Sequence, residues 1–172
     1  MSQEPTKYKQ RVSWNEYGHS HFLTFSTYDK NPYLRDDRIC HALAKRINTS
    51  ANELNFAVFA YVFMPDHVHL LIHPKNEVYK ISEILQSIKQ GPSKIAKSRG
   101  WISTNLWEAG GGFDKNVVQH KARLEVIHYI HQNPMRKELV EDLLTYRWSA
   151  GNWFVTGEIG DVRCIQMGEL WS

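Results

Sequence analysis

The chain has 172 residues, 42% of them hydrophobic and 12% aromatic, which is enough for one domain with a buried core and excludes a disordered composition. A formal charge of +3 with a pI near 8.8 permits a nucleic-acid partner without requiring one. Cys40 and Cys164 share no CxxC spacing, MSQEPTKYKQ holds no apolar signal core, and no run approaches the ~20 apolar residues of a membrane span, so a soluble protein of a reducing cytoplasm is expected, with no disulfide framework, zinc ribbon or membrane partner.

Residues 1–16 are polar and mixed in charge, and read as a flexible arm. His21 to Thr27 (HFLTFST) is rich in aromatic and β-branched residues and predicts a strand. From Arg35 to Asn52, Ile39, Leu43 and Ile47 form one stripe at helical spacing. Phe56 to Met64 (FAVFAYVFM) predicts a buried strand, Pro65-Asp66 a turn, and His67 to His73 (HVHLLIH) the second strand of a hairpin. Ile81 to Lys97 is a second amphipathic helix, which Gly91-Pro92 is expected to kink or split. A short strand is expected from Phe113 to Val118, after the run Gly110-Gly111-Gly112, and a third helix from Lys121 to Gln132. Asn133-Pro134 reads as a boundary, with Asn133 the N-cap and Pro134 the first residue of another helix. Residues 17–150 would form one catalytic domain and 151–172 a C-terminal tail.

The order β, α, β, β, α, β predicts an α+β fold: a ferredoxin-like, RRM-like antiparallel sheet. Two helices would cover one face and leave the other free for a ligand, with a C-terminal helix carrying Tyr129.

His67 and His69, in YVFMPDHVHLLIHP, share one strand face because side chains alternate along a strand. Two adjacent imidazoles begin a divalent-metal site; by themselves they fit a structural role equally well. In a second such pair, His21 is expected to begin a strand and His19 to face solvent, and His73 reads as an exposed strand end. In HYIHQNPMRKELV, Tyr129 and Asn133 are four apart and stack on one helix face. Read alone, Tyr129 is better explained by packing and Asn133 by capping.

MPDHVHLL followed later by YIHQNPMRKELV, together with HFLTFST and LTYRWSA, resembles the HUH-type single-tyrosine transposases, closest to the REP-associated tyrosine transposase branch. The resemblance spans residues 17 to 150. It implies metal ligation by His67, His69 and Asn133, with Mg²⁺ or Mn²⁺ as the ion. It implies nucleophilic attack by Tyr129 on single-stranded DNA near a hairpin-forming repetitive palindrome, through a 5′-phosphotyrosine. It also implies a bacterial, nucleoid-associated protein, acting as a monomer, with a dimer as the alternative. The chain departs from the family's usual pattern at Asp66, where Asn is common, at Glu138, where Gly is common, and at Ser149-Ala150.

Lys89, Lys94, Lys97 and Arg99 around the second helix, and Arg123, Arg136 and Arg147 near the tyrosine helix, are candidate DNA contacts. Trp101 and Trp107, interleaved with them, could stack on bases. Three competing readings remain: a non-cleaving hairpin-binding protein on the same fold, an RRM-type platform, and a phosphodiesterase using activated water. The RRM aromatic signature is missing from the sequence.

Overall fold

The structure, a computed structural model, describes residues 14–170. Most of the expected 1–16 arm therefore lies outside the described residues. Trp14 exchanges two hydrogen bonds with the Asn116 side chain, and the Glu16 carbonyl accepts from Tyr79.

The hairpin forms as the pattern predicts. β2 (Phe56–Met64) and β3 (His67–Pro74) pair antiparallel across the two-residue Pro65-Asp66 turn, with Met64 opposite His67. β1 (Ser20–Ser26) pairs antiparallel with β3, and β4 (Phe113–Val117) with β1, giving the order β2-β3-β1-β4. This is the split βαβ arrangement.

α1 (Asp37–Glu53) and α2 (Ile81–Ser98) cover one face, burying Ile39, Leu43, Ile47, Ile84 and Ile88 against Leu23, Phe25, Val68 and Leu70. Asp36 caps α1 by accepting from the Arg38 backbone N–H at 2.9 Å. α2 stays continuous through Gly91-Pro92, against the expected break. A Cβ on Gly91 would lie 3.0 Å from the Arg46 side chain, which crosses here from α1 and donates from Nε to the Ser87 carbonyl. The Lys89 carbonyl accepts from Ser93 Oγ and Trp107 Nε1. Side chains from α1, from α2 itself and from Trp107 thus bond the carbonyls of the turn before the proline.

The second face is not left free. α3 (His120–Arg136) lies over it, with Ile127 and Ile130 packed against Phe59, Val62 and Leu71. Nor does α3 stop at Asn133-Pro134. Both residues are buried within its last turn, so Asn133 is not an N-cap. Proline there removes one hydrogen bond close to the helix end, where little remains to be lost. The stop comes later, with Glu138 N–H bonding the Met135 carbonyl and Leu139 N–H the Pro134 carbonyl. Glu138 has φ +55°, so the left-handed residue that closes a Schellman motif stands where the resembled family has glycine.

The C-terminal residues run along the outer edge of β2. Phe63 N–H donates to the Trp148 carbonyl, Ala150 N–H to Tyr61, and Ile165 N–H to Val58. α4 (Gly151–Thr156) lies between these contacts. Val162 and Cys164 join the first core and Met167 the second. No helix among the described residues is long and apolar enough to cross a membrane.

Candidate active site

Register across the sheet sets Thr24 opposite His69 and Ser26 opposite His67 on the face that α3 covers. Period-2 alternation brings the two imidazoles together, with ring centroids 4.7 Å apart. A carboxylate only accepts, so the 2.6 Å contact from Asp66 Oδ1 holds a proton on His67 Nδ1 and leaves Nε2 with its lone pair. His69 Nδ1 is engaged by Thr24 Oγ1 at 2.7 Å, and in the tautomer in which Nδ1 donates to that hydroxyl, Nε2 keeps its lone pair. His69 is buried, and burial first, then the coulombic effect of His67 and of Lys30, push its pKa down to about 3. Its ring is therefore neutral at neutral pH, the form that can bind a metal.

α3 brings Tyr129 to the same place. Its ring lies 5.5 Å from His69 and 5.8 Å from Phe22, edge to face, and the residue is 37% exposed. The Arg136 guanidinium lies 5.3 Å from the Tyr129 ring centroid. Asn133 follows one turn after Tyr129 and is 3% exposed. Among the described residues, no group of three or more His, Cys, Asp or Glu side chains is placed to hold a metal. The side chains that could contribute to one are the two imidazoles, with Asn133 one turn beyond Tyr129 on α3.

The expected DNA contacts divide. Lys94, Lys97, Arg99 and Arg136 are exposed. Lys89 is half-buried, and its ammonium donates to the Glu108 and Gly110 carbonyls at 3.3 and 2.9 Å. Arg123 is buried rather than facing solvent. It donates to Ser20 Oγ at 2.9 Å and the Gly18 carbonyl at 3.0 Å, which ties the start of α3 to β1. Arg147 lies 4.7 Å over the Trp148 ring and within 4 Å of Asp37 and Asp161, away from the tyrosine. Trp107 is a core residue, stacked edge-on at 5.0 Å from Phe25, and Trp101 lies beneath Arg38.

His73 is likewise no exposed strand end. It is buried, bonded to Ser20 Oγ at 3.0 Å, and held down at about pKa 4, by burial first and then by Arg123. His21 lies on the opposite face, buried between Asp114 and Tyr79 at 2.8 Å each. His19 contacts Asn116 and Glu16. Gly112, at φ +77°, lets the loop pass over β1, because a Cβ there would overlap the Thr24 carbonyl and touch Phe25; Gly110 and Gly111 have open space. Sequence reasoning missed Asp66 and Thr24 as orienting partners of the histidines. Asp66 could have been found from its place beside His67, but Thr24 is recognisable only once β1 and β3 are in register.

A paired-histidine strand facing a tyrosine helix on a ferredoxin-like sheet defines the class of single-tyrosine strand-transfer proteins. The sequence pattern described as "Transposase IS200 like" matches residues 15–133, and the chain belongs to that family. No curated protein matches it by sequence. Among solved structures, a REP-associated tyrosine transposase bound to a REP hairpin superposes with a TM-score of 0.69 at 16% identity, covering 96% of this chain and 93% of its own. A provisionally named transposase from Deinococcus radiodurans R1 gives a TM-score of 0.49 at 18% identity, covering 71% of this chain and 96% of its own.

Proposed function

We propose that this chain is a divalent-metal-dependent endonuclease and strand transferase for single-stranded DNA, acting beside hairpin-forming repetitive palindromes through Tyr129. The observation that carries this reading is the approach of the Tyr129 ring to 5.5 Å from His69, on a face where Asp66 and Thr24 engage the Nδ1 atoms of the two histidines. Family membership supports the transposase chemistry. The hairpin in the similar solved structure supports the substrate class.

In the reaction, the Tyr129 phenolic oxygen attacks phosphorus. Its O–P bond forms as the bond from phosphorus to the 3′ oxygen breaks. The phenol proton is released, and the departing oxygen takes up a proton to become a 3′-hydroxyl. One phosphodiester replaces another, so the 5′-phosphotyrosine can return its strand to a second 3′-hydroxyl. Arg136 holds a phosphate oxygen beside the ring. His67, His69 and Asn133 would hold Mg²⁺ or Mn²⁺, which offsets phosphate charge and stabilises the phenolate when bound. Lys94, Lys97 and Arg99 on the far end of α2 hold the hairpin backbone.

The approach of Tyr129 to His69 of its own chain supports action as a monomer, with a dimer as the alternative. The site lies within residues 17–150, and the tail that follows packs along β2 and into both cores. The test is a labelled hairpin strand with a single-stranded flank, incubated with Mn²⁺ or Mg²⁺ and run on denaturing protein gels. Wild type should give a covalent adduct that Tyr129→Phe and His67→Ala both lose. Tight hairpin binding without any wild-type adduct would reduce the protein to a binding relic. Cleavage retained by Tyr129→Phe would instead point to attack by water.

A further inference from the structure

Beside Tyr129, β4 and the first turns of α3 leave a groove of about 370 Å³ on the sheet face. Its floor is Phe22 and Val117, its walls are Phe113, Val118 and Val126, and the Tyr129 ring closes one end. Phe22 stands edge-on to Tyr129 at 5.8 Å and to Phe113 at 6.1 Å. Gln119, Glu125 and Lys115 make the rim polar.

We propose that this groove seats one unpaired nucleobase of the substrate strand, next to the phosphate that Tyr129 attacks; this rests on the nuclease reading above. Continuity is the first argument. Tyr129 and Phe22 line the groove and also touch His69, so a nucleotide whose phosphate is at Tyr129 has its base within reach. Size is the second. The volume suits a small ring system with its edge in solvent and is far too small for a duplex. Chemistry is the third. Aromatic and branched apolar walls under a polar rim match a flat ring with hydrogen-bonding edges, and stacking on phenyl rings accepts any base. Charge is the fourth. Lys115 on the rim and Arg136 over Tyr129 place a cation on either side, where the backbone of a seated nucleotide would run. A paired base is stacked in its helix and could not enter, so the groove selects unpaired strand at the cut.

The test uses Tyr129→Phe protein, which keeps the ring but cannot cleave, and hairpin strands with 2-aminopurine at either position flanking the scissile phosphate. Binding should quench the fluorescence at one of the two positions. Adding Phe113→Leu, which keeps an apolar residue but removes a ring, should abolish the quench. Val118→Trp, which fills the groove from a half-exposed position, should abolish it too, without disturbing the core. An abasic nucleotide at that position should weaken binding by about tenfold in the Tyr129→Phe protein and not further in the two double variants. A hairpin without its flank should bind all three proteins alike. Hairpin binding with no quench at either position would overturn the groove and leave the nuclease reading standing. Failure to bind any of the strands would overturn both.

Discussion

Replacing Asp66 tests whether the histidine pair is a metal site or a structural pair. Asp66 accepts from His67 Nδ1 at 2.6 Å, fixing both the tautomer and the ring plane. The backbone at this turn is held separately, since the Asp66 carbonyl accepts from Thr27 N–H at 2.9 Å and Thr27 Oγ1 at 3.0 Å. Asp66→Ala therefore removes the orienting carboxylate and keeps the hairpin. Loss of such a partner typically costs ~10–100-fold in metal affinity or activity. Asp66→Asn still offers an oxygen to Nδ1–H but without charge, and charge-assisted bonds are roughly twice as strong as neutral ones, so its loss should be smaller. The assay is Mn²⁺ binding by calorimetry, paired with adduct yield across a Mn²⁺ titration. Asp66→Ala should need ~10–100-fold more Mn²⁺ for half-maximal adduct, with hairpin affinity unchanged. An unchanged Mn²⁺ requirement in Asp66→Ala would refute the assignment of His67 as a metal ligand.

Three further outcomes are expected. Gly112→Ala should lower both thermal stability and adduct yield, because its Cβ would push on the Thr24 carbonyl and so on the partner of His69, whereas Gly111→Ala should be near neutral; equal effects on melting temperature and adduct would refute this. Glu138→Gly should raise stability by about 1 kcal/mol in urea unfolding, since a left-handed backbone costs a non-glycine residue roughly 1–2 kcal/mol, and no gain would show that the Glu138 side chain offsets that cost. His131 is buried, and its pKa is pushed down to about 4, by burial first and then by His128, from an ordinary 6.5. Below pH 6.5 the unfolded chain therefore takes up a proton that the fold resists. The stability this residue allows is complete above that pH and is lost toward pH 4, at up to about 1.4 kcal/mol per pH unit. His131→Leu should flatten the fall in urea midpoint of the metal-free protein between pH 7 and 5, and an unchanged slope would count against the reasoning.

The elements formed by local pattern were legible in the sequence. Alternation in HVHLLIH put His67 and His69 on one face, and β3 follows it. The FAVFAYVFM run gave a strand buried on both faces, and its burial explains the missing alternation. What was not legible depends on partners distant in sequence. Arg123 reads as a surface cation until α3 lays it on Ser20, and His73 as a strand end until it meets the same hydroxyl. Asn133-Pro134 carries the local signature of a helix start, yet the helix runs through because its last turn is held against the sheet by buried residues. Tyr129 stood out by resemblance to a family, because nothing in its local sequence distinguishes a nucleophile from a packing residue.

The docking of Trp148, Ala150 and Ile165 along β2 also bears on biosynthesis. β2 is apolar on both faces, and the segments that occupy its outer edge are translated only after all four strands of the sheet. At ribosomal rates that interval is on the order of ten seconds. Throughout it, the nascent sheet presents an unoccupied strand edge, the feature most prone to pairing with another chain. The yield of native protein should therefore depend on what shields that edge during synthesis, and slowing translation between residues 74 and 148 should favour aggregation over folding.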